Sequence, residues 1–500
     1  MPFSRYIAAG FLIIFILLAT LDSGQNIWFS NNTLWLTVLL ISILFIMSFM
    51  GIFLLDLIIM LTEACFLQRI IILYFFPEVL FDNKYSGIYF QRDEFFQAIL
   101  FLVYLHIGIL IGTILSKRLY SKIENNSNDI TIFNFNNLFN TFFHYYATIY
   151  IPLLLWHILM ILWFGVGVTG IEMVVGWEII YRLTTFIDSI WFVAIVAILT
   201  KETSGNNKKL AIIILLLIVL TNILGTSKGF FPVLAIMIVI CCHCLNKNIS
   251  NKIYLFGMVA VILIGIIWFN VMGNLRIAVL EYTSKGAIDF SLSDFFKESF
   301  LDNIFSVSLR LGQLDWLVSF ISVGREAFPS YVSIIGDMKS IIDSFVPYDL
   351  VPGGIMGSKD NISIAKLIPS ILKKWQLKSM VGHGENLGLF GMIYIYFGWE
   401  YSYIFILTWV FITFMVTSSQ ISSILKILYY QQVILVLYTG GSLITVIKHL
   451  YQGLIIYVGI YLIFIGLSNR APLKGLEGIM ALGKEDKQSG SQGLQVTQDK

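Results

Sequence analysis

The stretch Phe95-Phe-Gln-Ala-Ile-Leu-Phe-Leu-Val-Tyr-Leu-His-Ile-Gly-Ile-Leu-Ile-Gly-Thr-Ile-Leu115 decides the fold class of this chain. A helix that crosses a membrane needs about 20 consecutive, predominantly apolar residues. This run has that length and carries no Asp, Glu, Lys or Arg. It therefore predicts a transmembrane helix.

Similar apolar runs continue on both sides of this stretch. We predict further spans at 6–21, 34–53, 55–76, 143–164, 184–200, 210–224, 230–244, 253–272, 393–416, 424–447 and 450–467. The whole chain is 58% hydrophobic and 12% charged, whereas roughly a quarter of the residues of a soluble domain are charged. The sequence thus predicts an all-α polytopic membrane protein with about 12 transmembrane helices.

The run at 55–76 is the weakest of these spans because it contains three charged side chains, Asp56, Glu63 and Arg69. Charges are costly in lipid, so these would have to face the bundle interior or a wet cavity. An interfacial or re-entrant helix is the alternative. Counting the run as a span makes the short basic turns near 116–126, 201–209 and 247–252 cytoplasmic, as the positive-inside rule requires.

This topology gives the chain four regions. Residues 1–272 form an N-terminal bundle of about nine helices, 273–391 a large, mostly helical loop on the outer side, 392–468 the C-terminal spans, and 469–500 a disordered cytoplasmic tail. Both termini are expected in the cytoplasm of a bacterium, with the protein in its inner membrane. The long loop faces the periplasm, where ATP is absent, so chemistry there needs an activated substrate.

The long loop is expected to carry the function because loops of this length are usually functional when they are folded. Residues 290–320 have the apolar spacing of helices that rest on the bundle or at the interface. Residues 387–399 are apolar but broken by glycines, and we expect a re-entrant or interfacial helix that leads into the next span. Glu400 is expected near that turn.

Several basic residues are candidates for binding a substrate with phosphate groups. The planar guanidinium of arginine matches phosphate geometry and keeps its charge at any pH. The outer-side candidates are Arg276, Arg310, Arg325, Lys228 and Arg182. Helix anchoring, pairing with a neighbouring acid such as Glu326, and snorkelling of Lys228 are the structural alternatives.

Candidate catalytic groups also lie in the long loop. Glycosyl transfer needs a base that accepts the proton of the attacking hydroxyl. His383 and Glu385, in Gly382-His-Gly-Glu385, precede the expected re-entrant segment, and Asp315 is a comparable candidate. A solvated histidine and a local ion pair between Asp315 and Arg310 are the alternatives.

Other kinds of ligand are disfavoured. The net charge of +2 and the scattered basic residues do not suggest a nucleic-acid partner. Consecutive positions in Cys241-Cys242-His243-Cys244 point about 100° apart on a helix and do not converge on one metal ion. No phosphate-loop pattern is present, so ATP-driven transport is disfavoured, and no cofactor is expected.

Three local patterns, together with many spans and one dominant loop, resemble the Wzy-type oligosaccharide repeat-unit polymerases that make O-antigen or capsular polysaccharide. They are Gly225-Thr-Ser-Lys-Gly229, Arg310-Leu-Gly-Gln-Leu-Asp315, and Phe397-Gly398 at the start of a span. The first is similar to a Gly-Ser-Arg-Gly turn with Lys228 in place of arginine. The second is similar to an Arg-x-x-Gly-x-Asp stretch with its glycine shifted by one.

The resemblance implies a metal-independent glycosyltransferase with a GT-C-like architecture. It would join undecaprenyl-diphosphate-linked oligosaccharide units in the lipid bilayer, with a Wzz-type chain-length regulator as partner and a flippase upstream. The alternatives are an O-antigen ligase or another lipid-sugar transferase, and a polysaccharide flippase or secondary transporter. The long outer loop argues against a transporter, which usually has short loops and two comparable halves.

Overall fold

The computed structural model describes most of the N-terminal half and parts of the C-terminal half. The described residues are 2–77 except 23 and 25, 91–124, 139–164, 190–225 except 202, 230–245, 313–329, 388–418 and 423–434, with the single or grouped positions 268, 271, 332, 333, 335, 336, 338, 339, 342, 355, 356, 453–455, 458 and 459. Over these residues the regular structure is helical and contains no strand.

Eleven helices account for the described architecture. They are α1 Pro2–Leu21, α2 Asn31–Ser48, α3 Phe53–Phe75, α4 Arg92–Glu124, α5 Phe139–Phe164, α6 Val193–Leu199, α7 Gly205–Leu224, α8 Phe230–Cys244, α9 Gln313–Val323, α10 Gly388–Ser418 and α11 Ser423–Ile434. A short 3₁₀ turn, Arg325–Ala327, follows α9.

Among the described residues, seven helices (α1 to α5, α7 and α10) are long and apolar enough to cross a membrane. Each coincides with a predicted run, which confirms a helical membrane protein. The run at 55–76 is among them, since α3 is 23 residues long. The predicted spans at 253–272 and 450–467 lie almost entirely outside the described residues, so the total of 12 remains a prediction.

The helices pack around two hydrophobic cores. One is formed mainly by α1, α2, α3, α4, α9 and α10, and the other mainly by α5, α6, α7, α8 and α11. Phe53 and Leu57 of α3 belong to the second core, whereas Leu54, Leu55 and the buried hydrophobic residues from Ile58 to Leu73 belong to the first. The charged third helix therefore lies between the two halves of the bundle and is covered on most sides.

One end of the bundle is marked by the amino terminus of α4. Arg92 Nε donates a hydrogen bond to the carbonyl of Ile27 (3.0 Å), and Asn26 Nδ2 donates one to the carbonyl of Tyr74 (3.2 Å). The end of α3 and the starts of α2 and α4 thus lie together at this end, which we call the Arg92 end. It is the end that the sequence predicts to face outward.

Helices α4 and α10 approach each other closely at two glycines one turn apart. A Cβ atom at Gly108 would lie 2.7 Å from Cγ2 of Ile406, and one at Gly112 would lie 3.4 Å from Val410. Small residues four apart permit this kind of close helix packing in membranes, where no hydrophobic effect drives association. The later glycine of α4 contacts the later residue of α10, so this part of α10, around 406–410, runs parallel to α4.

Candidate functional site at two half-helices

Helix α10 is interrupted at Gly398. Its φ of 60° and ψ of −158° are non-helical and lie in a region that glycine adopts readily. The ring of Phe397 stacks on that of Phe405, with centroids 4.5 Å apart. In a straight helix, eight residues rise about 12 Å, so the chain must turn back on itself at Gly398.

The contacts with α4 give the direction of the first part of α10. Phe390 lies against His106 and Tyr394 lies against Phe101, with ring centroids 5.2 and 5.4 Å apart. Residues 388–397 therefore run antiparallel to α4, toward the Arg92 end, whereas the part after the break runs parallel to it. The segment that the sequence predicts as a re-entrant or interfacial helix is therefore helical, and the turn into the next helix lies at Gly398.

Helix α9 is a second half-length helix beside the first. The side chain of Gln313, at its start, lies against Gly388, whose φ of +68° brings the backbone close. Just beyond its end, Arg325 Nη2 donates a hydrogen bond to the carbonyl of Tyr396 (2.8 Å). Because these contacts follow the same order along both segments, α9 and residues 388–397 run side by side in the same direction. Both half-helices start inside the bundle and rise toward the Arg92 end.

The start of α9 is held by an ion pair with α3. Arg69 Nε lies 3.1 Å from each carboxylate oxygen of Asp315, and Arg69 Nη2 lies 2.7 Å from Oδ2. Arg69 is completely buried, while the side chain of Asp315 is 18% exposed. Arg69 Nη1 has no hydrogen-bond partner among the described residues. Such a charge is tolerable inside a bundle only with its partner in place.

The middle of α3 contains a π-helical turn, Glu63–Leu67. Such turns are rare and are frequently found at functional sites. Glu63 is 4% exposed, and its Oε1 has no hydrogen-bond partner within the described part of the chain. Asp56, earlier in α3, accepts a hydrogen bond from Ser4 (2.6 Å). All three charged side chains of α3 face the interior, as the sequence predicts.

Arg325 and Glu400 flank the turn at Gly398. A Cβ atom placed on this glycine would lie 3.0 Å from Glu400 Oε2 and 3.6 Å from Arg325 Nη1. Both side chains are exposed. We call the space between them, over the bare Cα of Gly398, the Gly398 notch. At the notch, the guanidinium of Arg325 and the carboxylate of Glu400 lie beside a glycine, at the end of the two half-helices.

Of the residues predicted for the site, Asp315 and Arg325 lie within the described chain, at the two ends of α9. Ten residues of helix separate them by about 15 Å, so the structure does not bring them together. Asp315 pairs with Arg69, a residue 246 positions away, instead of acting as a free base. Six predicted residues lie outside the described residues, namely His383, Glu385, Arg276, Arg310, Lys228 and Arg182.

Two residues of this site stand out in the sequence, although the sequence analysis gave them no role in binding or catalysis. Arg69 is conspicuous as an arginine inside an apolar run, and Glu400 follows the glycine that breaks another. Their partners were not predictable, because pairing across such distances in the chain depends on how helices pack. Comparisons with protein-family models, curated proteins and solved structures find no match to this chain. The resemblance to the polymerases therefore rests on the three sequence motifs and the predicted arrangement of spans and loop.

Proposed function

We propose that this protein is a membrane glycosyltransferase that joins undecaprenyl-diphosphate-linked oligosaccharide units into a long polysaccharide. The observation that carries the proposal is the pair of half-helices that bring Arg325 and Glu400 to one exposed notch, in the half of the bundle nearer the Arg92 end. Discontinuous helices inside a membrane bundle are a common way to build a polar site at lipid depth.

The proposed reaction needs no outside energy source. A hydroxyl oxygen of the incoming unit attacks the anomeric carbon of the growing chain, whose bond to the lipid diphosphate breaks. The electron pair leaves with the diphosphate, and the hydroxyl proton passes to a base. Arginine charge stabilises the leaving group. The chain supplies the acidic and basic side chains for both tasks, including the outer-loop residues His383 and Glu385.

Asp315 fits a positioning role in this proposal better than a catalytic one, because Arg69 engages both of its carboxylate oxygens. It ends the motif that starts at Arg310. The ion pair anchors the start of α9 in the bundle. The diphosphate is then assigned to the arginines of the outer loop, Arg276 and Arg310.

The location and partners form part of the same proposal. The Arg92 end is the periplasmic face of a bacterial inner membrane, and both termini are cytoplasmic. A Wzz-type chain-length regulator is the proposed protein partner, and the lipid-linked oligosaccharide in the bilayer is the substrate.

The test is the length of the polysaccharide made in the source organism after the gene has been deleted. Wild type, Arg325→Ala and Arg92→Ala are expressed from a plasmid at equal membrane levels, and surface glycan is resolved on a gel. Arg92 is the matched control, since it is also an exposed arginine that donates to backbone carbonyls. We expect a full ladder of repeats with wild type and Arg92→Ala, and a shorter, weaker ladder with Arg325→Ala.

Two outcomes would remove the polymerase proposal. Single-unit glycan with and without the wild-type protein means that it does not polymerise. Loss of all surface glycan on deletion, restored by the gene as single units, points to a ligase or a flippase.

A secondary transporter is a second candidate because of α3. Buried charges on an interrupted helix also mark substrate and ion pathways, and Glu63, in its π turn, is such a group. Right-side-out vesicles distinguish the two candidates. A transporter moves labelled lipid-linked units across the membrane, whereas a polymerase lengthens units that are already on the outer side.

A further inference from the structure

We propose that the Gly398 notch binds a neutral sugar hydroxyl of the glycan substrate and that Arg325 therefore does not hold the diphosphate. The inference rests on the proposed function and assigns a substrate part to one of its candidate arginines. It adds Glu400 to the residues that contact substrate.

The two charged groups of the notch lie close together without touching. Glu400 Oε2 lies 3.0 Å and Arg325 Nη1 lies 3.6 Å from the position of a Cβ atom built on Gly398. The distance between the two atoms therefore cannot exceed the sum of these two distances. Even so, no direct ion pair joins them among the described residues. One oxygen atom between them, with two hydrogen bonds of about 2.8 Å each, fits this separation.

The charges of the notch favour a hydroxyl group over a phosphate group. A hydroxyl can do both tasks that the notch requires, since it donates its hydrogen to the carboxylate and accepts from the guanidinium. A diphosphate carries only acceptor oxygens and negative charge, so the carboxylate of Glu400 would repel it. The carboxylate thus selects a neutral polyhydroxyl compound over an anion at this arginine.

The orientation of Arg325 also favours binding at the notch. Arg325 is oriented by its hydrogen bond to the carbonyl of Tyr396, which leaves Nη1 directed at Gly398. Any side chain at Gly398 would occupy the space, because its Cβ would already contact Glu400 Oε2.

The experiment measures binding of two probes to the full-length protein in lipid nanodiscs. One probe is the repeat-unit oligosaccharide released from its lipid by mild acid, and the other is undecaprenyl diphosphate without sugar. The variants are Glu400→Gln, Arg325→Ala and the double variant. Glu326→Gln is the matched control, because it removes the same charge from another exposed glutamate, next to Arg325.

We expect Glu400→Gln and Arg325→Ala each to weaken binding of the oligosaccharide by roughly tenfold, the loss typical of one hydrogen bond to a charged group. The double variant should lose less than the product of the two single effects, since both groups hold the same hydroxyl. Binding of undecaprenyl diphosphate should change by less than about twofold, as should both affinities of Glu326→Gln.

The inference is overturned if Arg325→Ala weakens binding of undecaprenyl diphosphate and Glu400→Gln strengthens it, which is the pattern of a diphosphate site. It is also overturned if wild type does not bind the released oligosaccharide, or if neither variant changes that affinity. The proposed function is judged separately by the glycan ladder. A wild-type ladder with unchanged variant affinities removes the sugar notch and leaves the polymerase in place.

Discussion

Removing one partner of the buried ion pair between α3 and α9 should strongly destabilise the protein. In Asp315→Ala, three close nitrogen–oxygen contacts to Arg69 are lost. The arginine is completely buried, and its Nη1 already lacks a partner among the described residues. A buried charge left without its partner costs about 3–5 kcal/mol, so we expect a loss of this size in the free energy of unfolding.

Replacing both partners should cost much less. The double variant Arg69→Met and Asp315→Leu removes both charges and fills the site with apolar side chains, a change that is often close to neutral. The interaction energy from the double-mutant cycle should therefore be about 3 kcal/mol in favour of the double variant. Glu326→Gln, at an exposed site, is the control and should change stability by less than about 0.5 kcal/mol.

The assay is thermal or denaturant unfolding of the purified protein in detergent, with the folded fraction followed by intrinsic fluorescence and gel filtration. Asp315→Ala with wild-type stability would refute the reasoning, because Arg69 would then have another way to be solvated. Additive losses in the double variant would also refute it, since they would mean that the two residues stabilise the fold independently.

Three further substitutions test other parts of the structure. Gly391→Ala should lower the melting temperature, because the new Cβ would lie 2.7 Å from the ring of Phe320. Overpacking of this kind costs about 1–3 kcal/mol of stability. Gly10→Ala is the control and should not lower the melting temperature, since a Cβ at Gly10 meets nothing within 4 Å. Gly398→Ala should lower the free energy of unfolding by about 1–2 kcal/mol, measured with denaturant, because alanine is strained at the positive φ of this position. The same variant should abolish the glycan ladder, because the new methyl group fills the notch. Glu63→Gln should melt like wild type, whereas Glu63→Lys should melt far lower or fail to reach the membrane, because a lysine charge in that buried position is costly.

The fold class was readable from local features of the chain. A run of about 20 apolar residues has few alternatives to a membrane helix, which is why seven predicted runs appear as helices of sufficient length in the described chain. The charges at Asp56, Glu63 and Arg69 predicted an inward-facing third helix for the same reason, since lipid would not accept them. A turn near Glu400 was also readable, because Gly388, Gly391 and Gly398 interrupt the apolar run before it. Which of these glycines breaks the helix was not.

The pairings within the site were decided by tertiary structure alone. Asp315 was expected beside Arg310 or as a base, yet it meets Arg69, which lies 246 residues away in the chain. Nothing local encodes that contact, because it depends on α9 rising beside residues 388–397 and against α3. The notch likewise exists only because the chain turns back at Gly398 and α9 ends there, bringing Arg325 to Glu400. Sequence patterns determined which segments are helices and which charges must be buried, whereas the packing of half-helices determined which of those charges meet.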